Sequence, residues 1–285
     1  MVTSKTTKSS SNRQIVIKNR SNLEDPVWDA IRADAAAVAS GEPVLAKPME
    51  DMILQRTSLE EVVALHLSRK LTYLSHTDIH LREAFEEVLE RDPEIGDAIR
   101  CDLIAINDRD PACPSLLTPL LYFKGFKAIT CHRMAHRFWL DGREHLARHI
   151  QSLSSEFFSV DIHPAARFGC GILLDHATGF VAGETCTIAD DVSILHAVTL
   201  GGTGKEKGDR HPKIGSGVLI GAGAKILGNI SVGQCAKVGA NSVVLEDVPA
   251  HSTVAGVPAK VVGSASESLP SHSMNHRLDP GAGAF

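Results

Sequence analysis

Residues 160–200 read VDIHPAARFGCGILLDHATGFVAGETCTIADDVSILHAVTL, and a single spacing runs through them. An aliphatic or aromatic residue, once a cysteine, recurs at every sixth position: Ile162, Phe168, Leu174, Phe180, Cys186, Val192 and Val198. After one interruption the spacing resumes at Ile214, Ile220, Ile226, Val232, Val238 and Val244, and glycine follows directly at 169, 215, 221, 233 and 239. Strands of a sandwich alternate with period two and carry no fixed six-residue phase. A six-residue unit is one short strand plus one turn, with its lead residue pointing to an axis and a small residue at the corner. Three such units close a coil of about 18 residues, and stacked coils pair their strands at about 4.8 Å. The repeat predicts a parallel β-helix of about four coils over residues 159–263.

Upstream the pattern changes to a helical one, and residues 23–158 read as a helical domain. Asp25-Pro26 offers an N-cap and a proline at the first helical position, with Val27, Trp28, Ile31, Ala35 and Val38 on one face. Ser58 and Glu61 have capping-box spacing. Thr118-Pro119 opens a further helix whose apolar residues run from Leu120 to Leu140, where Asp141-Gly142 ends or kinks it. The fold class is therefore α+β. Residues 1–22 hold five Lys or Arg and no acid, a composition that fits a flexible tail or an organelle transit peptide. Residues 264–285 read as a flexible C-terminal tail.

The net charge of −5 argues against a nucleic-acid surface, which needs clustered cations. No run of apolar residues is long enough for a membrane span, and no signal-peptide core precedes the helices. The six cysteines lack zinc-ligand or CxxC spacing, so they read as reduced thiols of a cytoplasmic protein.

The repeat resembles the left-handed β-helix of the hexapeptide acyltransferases, from which the left hand is taken. The resemblance narrows to the serine O-acetyltransferase family on several segments: Asp108-Arg109-Asp110-Pro111-Ala112, Val160 to Ala166, Leu174-Asp175-His176-Ala177-Thr178-Gly179, Leu200 to Lys205, Gly208 to Ile214, Ile220 to Asn229, and Val254 to Lys260. It covers about residues 25–263. It implies transfer of acetyl from acetyl-CoA to L-serine in cysteine biosynthesis, in a homotrimer or a dimer of trimers joined by the helical domain. It also implies feedback inhibition by L-cysteine and no metal. In this family the C-terminal tail often docks a terminal Ile into cysteine synthase (O-acetylserine sulfhydrylase); here the chain ends in Phe285, which puts that partnership in doubt.

Serine's hydroxyl needs a base as it attacks the thioester, and a histidine, with its ordinary pKa of about 6.5, suits that task near neutrality. By resemblance His176 is that base and Asp161 is the carboxylate that fixes its tautomer. Free serine is a zwitterion. The resemblance assigns it Arg210, whose guanidinium can hold a carboxylate bidentately, with Asp110 and Asp175 for the ammonium and His211 as a further donor. Asp110 also suits a turn or helix cap. Gly202, in the run Gly201 to Gly204, could offer its N–H to the oxyanion or simply start the loop. The positions matching coenzyme A contacts are Gly221, Ala222, Ala240 and Lys260, and turn sterics explain the first three equally well.

Two other chemistries compete. A sugar or antibiotic acetyltransferase would share the base but not the zwitterion site of Arg210, Asp110 and Asp175. A β-helical zinc enzyme such as the gamma-type carbonic anhydrase would draw on His163, His176, His196 or His211. A third, non-catalytic reading is a scaffold for a second enzyme.

Overall fold

The computed structural model describes residues 24–75, 80–204, 207–265 and 267–278. The proposed N-terminal tail, Lys205 and the terminal Phe285 lie outside the described residues. The helical domain runs through α1 (Pro26–Gly41), α2 (Pro43–Met49), a π-helical turn (Glu50–Leu54), α3 (Leu59–Ser75), α4 (Leu81–Arg91), α5 (Pro93–Arg109), α6 (Leu117–Leu121), α7 (Lys124–Leu140) and α8 (Glu144–Phe158). Its start follows the sequence signals: the Asp25 carboxylate accepts from the Trp28 N–H at 3.1 Å, and Val27, Trp28, Ile31 and Ala35 are buried. The capping box is offset by one residue. Ser58 Oγ accepts from the Glu61 N–H at 3.2 Å, but the Glu61 carboxylate reaches back to the Thr57 N–H at 3.0 Å.

The helix expected from Thr118 to Leu140 is two. Phe123 is extended, with φ −84° and ψ 115°, and separates α6 from α7. The break aims α7 at the β-helix, where Gly125 packs so closely that a Cβ would lie 2.0 Å from the Leu174 carbonyl oxygen.

From Val160 the chain winds into three parallel sheets. The first holds Val160–Ile162, Phe180–Ala182, Thr199–Gly201, Lys225–Leu227 and Val243–Val244. The second holds Arg167–Phe168, Thr187–Ile188, Lys213–Ile214 and Ser231–Val232. The third holds Leu173–Leu174, Ser193–Ile194, Leu219–Ile220, Lys237–Val238 and Ser252–Gly256, closed by the antiparallel strand Ala259–Ser264. The five strands of the first sheet make about five coils, one more than the repeat suggested.

Strand register also corrects the phase of the repeat. In the first coil partners are 20 residues apart, Val160 with Phe180 and Leu174 with Ile194. In the next, Ala182 pairs with Leu200, 18 apart, and then Ile188 pairs with Ile214, 26 apart. There are thus two insertions: two residues at the corner holding His176, and the longer loop holding Arg210. The first escapes the six-residue count because each unit points two residues inward, two positions apart. A slip of two moves the count from Ile162, Phe168 and Leu174 onto the other inward residue, at Phe180, Cys186, Val192 and Val198. All four are buried, so the apolar pattern continues without a gap.

Buried ion pairs fasten the helices to the first coil. Arg133 grips Asp102 with Nε and Nη2 at 2.8–3.0 Å and also donates to the Gly169 carbonyl. Asp102 in turn accepts from the Ile172 N–H at 2.9 Å. Arg109 donates to the Gly171 carbonyl, Ser193 Oγ and Asp191 at 3.0–3.2 Å. The Arg133 and Asp102 charges thus offset each other's burial, while the buried Arg109 Nε finds no hydrogen-bond partner among the described residues. Part of the stretch read as a C-terminal tail folds back here: a short helix, α9 (Pro270–Ser273), lies on the third sheet, with Ser193 Oγ donating to the Ser271 carbonyl at 2.7 Å.

Candidate active site

Each coil has three corners, and the candidate residues fall on two of them. His176 sits where the third sheet turns into the first. The two-residue insertion makes this a wide turn in which His176, Ala177 and Gly179 have φ of 55°, 59° and 75°. Two successive non-glycine residues in the left-handed region are uncommon and mark a strained, fixed turn. The turn borders a cleft of about 430 Å³ lined by Asp110, Tyr122, Lys124, Asp175 and His176, among others. Asp110 enters from the end of α5, and its carboxylate accepts from the Ala112 N–H at 2.8 Å, so it closes a turn as well as facing the cleft. The His176 side chain is 76% exposed, with Nε2 3.8 Å from Asp175 Oδ1. The His196 ring lies edge-on to it, 6.0 Å away between centroids.

The structure does not bring Asp161 to His176. Asp161 lies mid-strand opposite Val181, and its carboxylate accepts from Gln151 Nε2 at 2.7 Å. His176 lies in the turn that precedes the strand holding Val181, outside the sheet itself. The carboxylate next to the imidazole is Asp175.

Arg210 and His211 sit at the corner from the first sheet to the second. Thr185 organises both: its Oγ1 accepts from the Arg210 N–H at 3.0 Å and the His211 N–H at 3.1 Å. The remaining Thr185 hydroxyl hydrogen points to His211 Nδ1 at 2.9 Å, and the Thr185 N–H also donates there at 3.2 Å. With Nδ1 accepting, the network assigns the ring proton to Nε2, which presents a donor. Burial, with the cations of Arg210 and Lys213, holds the His211 pKa below its ordinary value and opposes a second positive charge. Arg210 donates to Glu184 at 2.6 Å and to the Gly208 carbonyl at 3.0 Å. That hydrogen bond holds the Glu184 carboxyl below its usual range.

Sequence reasoning missed Gly183, Glu184 and Thr185. A Cβ on Gly183 would lie 2.0 Å from His211 Nε2, so this glycine makes room for the imidazole. With the phase corrected, Gly183 follows Ala182 as Gly169 follows Phe168, which was the available signal. Gly202 borders the same corner: its Cβ would sit 3.5 Å from the Arg210 carbonyl and 3.8 Å from His211 Nε2.

The coenzyme A candidates divide. A Cβ on Gly221 would lie 2.6 Å from the Ala240 nitrogen, just as one on Gly215 would meet Gln234 at 2.7 Å. Coil stacking alone therefore requires glycine at 221. Ala222 and Ala240 lie on the same edge as His176, along a ladder of hydrogen bonds from Ala197 to Thr178, Gly223 to His196 and Asn241 to Ala222. Lys260 lies on the last strand, exposed and 3.5 Å from Glu246.

Residues 27–131 match the family model for the serine acetyltransferase N-terminal region, and residues 211–246 match the bacterial transferase hexapeptide model. The serine acetyltransferase of Salmonella typhimurium is 51% identical over 253 residues, covering 89% of this chain and 93% of that protein. The chain belongs to the serine acetyltransferase family. It is an acyltransferase, and acetyl-CoA is the co-substrate of serine acetyltransferases. Similar solved serine acetyltransferases include the Brucella abortus protein in complex with coenzyme A, with TM-score 0.83, 52% identity and coverage of 85% of this chain and 97% of that one. The Neisseria gonorrhoeae protein in complex with serine has TM-score 0.80 and 54% identity, covering 84% and 98%. A complex with cysteine has TM-score 0.86 and 50% identity, covering 88% and 98%. Among the described residues no three His, Cys, Asp or Glu side chains come together as a metal site, and no helix is long and apolar enough to cross a membrane. All six cysteines lie among the described residues, and none forms a disulfide.

Proposed function

We propose that this serine acetyltransferase works by direct attack, with His176 as general base and no acyl-enzyme. His176 takes the proton from serine's hydroxyl as the oxygen attacks the thioester carbonyl, and returns it to the departing thiolate of coenzyme A. The observation that carries this reading is the exposed imidazole on a fixed, widened turn beside Asp110 and Asp175. These two carboxylates suit serine's ammonium. Arg210 and the Nε2 donor of His211 suit its carboxylate, and Gly202 N–H suits the oxyanion. Asp161 keeps its proposed place as orienter only if the imidazole swings toward the first sheet; Asp175 is the nearer partner. Ala222, Ala240 and Lys260 would line the coenzyme A path.

The polar groups are split between two corners of one chain. In the proposed homotrimer, side-by-side packing would set one corner of each chain against the next chain's other corner. The helical domain would join two trimers. L-cysteine differs from serine by one atom and would compete for the same groups. A docking role for the tail toward cysteine synthase stays with the terminal residues.

Thiol release from acetyl-CoA is expected with L-serine and not with galactosides. His176→Ala should lower kcat about a thousandfold while leaving the melting temperature unchanged, since the side chain is exposed. A mutant at wild-type rate would overturn the mechanism.

A further inference from the structure

Among the described residues the His176 imidazole has no hydrogen bond, and its aim depends on the turn that carries it. Each left-handed non-glycine residue in that turn costs about 1–3 kcal/mol and persists only where neighbours over-determine it. Lys124, the first residue of α7, extends Nζ to donate to Thr178 Oγ1. Thr178 Oγ1 also lies 3.4 Å from the His176 carbonyl oxygen, within the same turn. Gly125 closes against the turn from the other side, where a Cβ would meet the Leu174 carbonyl at 2.0 Å and Ala177 Cβ at 3.2 Å. From below, the Ala197 N–H donates to the Thr178 carbonyl at 2.8 Å.

We infer that Lys124, acting through Thr178, is a positioning residue for His176, so that the start of α7 sets the direction of the base. The inference rests on the reading of His176 as base. It explains why the helix breaks at Tyr122 and Phe123: a continuous helix would carry Lys124 and Gly125 past the turn. It also gives a role to a cation that borders a cleft already holding Asp110 and Asp175. A base displaced by about 1 Å can lose on the order of a hundredfold in rate, so loss of one buttress among several should cost less.

The test uses the full chain and steady-state kinetics in both substrates. Lys124→Met and Thr178→Val should each lower kcat about tenfold, with KM for acetyl-CoA and the melting temperature unchanged. The double variant should be no slower than the slower single, because both act on one contact. Thr178→Ser, which keeps the hydroxyl, should restore kcat to within about twofold. Wild-type kcat in either single variant, or losses that multiply in the double, would overturn the inference. So would a Lys124→Met variant that raises KM for serine with kcat intact, since Lys124 would then hold the substrate carboxylate itself. His176→Ala, run alongside, separates the two levels. If it is inactive while the Lys124 and Thr178 variants match wild type, the inference alone fails. If it keeps the wild-type rate, the base assignment fails and the inference falls with it.

Discussion

The corner that carries His176 and the corner that carries Arg210 interrupt the same repeat in opposite ways. The first adds two residues and leaves its imidazole 76% exposed, with no hydrogen bond among the described residues. The second adds a long loop, yet Arg210 is only 26% exposed and His211 7%. Thr185, Glu184 and Gly208 hold that pair in place before any ligand arrives. On the proposed roles, the difference separates two tasks. A group that recognises a fixed charge gains from being locked in advance, because it then pays no reorganisation on binding. A base must exchange its proton with substrate and leaving group, so its partners belong to the reaction and its rigidity must come from the backbone.

The largest test of that contrast is Arg210→Lys. An ammonium cannot keep the Glu184 and Gly208 bonds and also hold a carboxylate through two parallel donors. Loss of one charge-assisted hydrogen bond is worth about 1.5–3 kcal/mol, so kcat/KM for serine should fall about thirtyfold, mostly in KM. An unchanged serine KM with a raised KM for acetyl-CoA would assign this corner to the other substrate. Gly183→Ala should act through position. A methyl 2.0 Å from His211 Nε2 must push the ring out of the Thr185 network. Overpacking of this kind costs about 1–3 kcal/mol of stability, and serine KM should rise about five- to tenfold. If Gly183→Ala melts early yet binds serine normally, His211 packs the corner without recognising substrate.

The coils were legible because their cause is local. A residue that points to the axis must be apolar in every unit, so Ile214 to Val244 could be read off directly. The insertion at His176 was invisible for the same reason, since both inward columns are apolar and a slip of two keeps the pattern. His176, Arg210, Asp110 and Asp175 could be singled out as candidates through motif resemblance, but the contacts around them could not. Thr185 and Glu184 reach Arg210 across 25 and 26 residues of chain, a spacing set by the loop and by no periodicity. The return of Ser271 onto the third sheet left no trace either. Its contact is the backbone carbonyl, which every residue has.

The smallest effect concerns pH, and it probes the locked corner alone. His211 has its pKa lowered first by burial, then by Arg210 and Lys213, with Glu184 opposing and His163 adding slightly. Below about pH 6.5 the unfolded chain binds a proton that folded His211 resists. Unfolding then takes up protons, so stability is lost as pH falls through that range and is recovered as pH rises. Replacing His211 with Asn removes this one titration. The variant should melt lower than wild type at pH 7.5, but its further loss on moving to pH 5.5 should be smaller by about 1 °C. Parallel losses in the two proteins would mean that the ring relaxes out of the Thr185 network on protonation. The corner would then be held by Arg210 and Glu184 alone, and the contrast with the His176 turn would rest on one ion pair in place of a network.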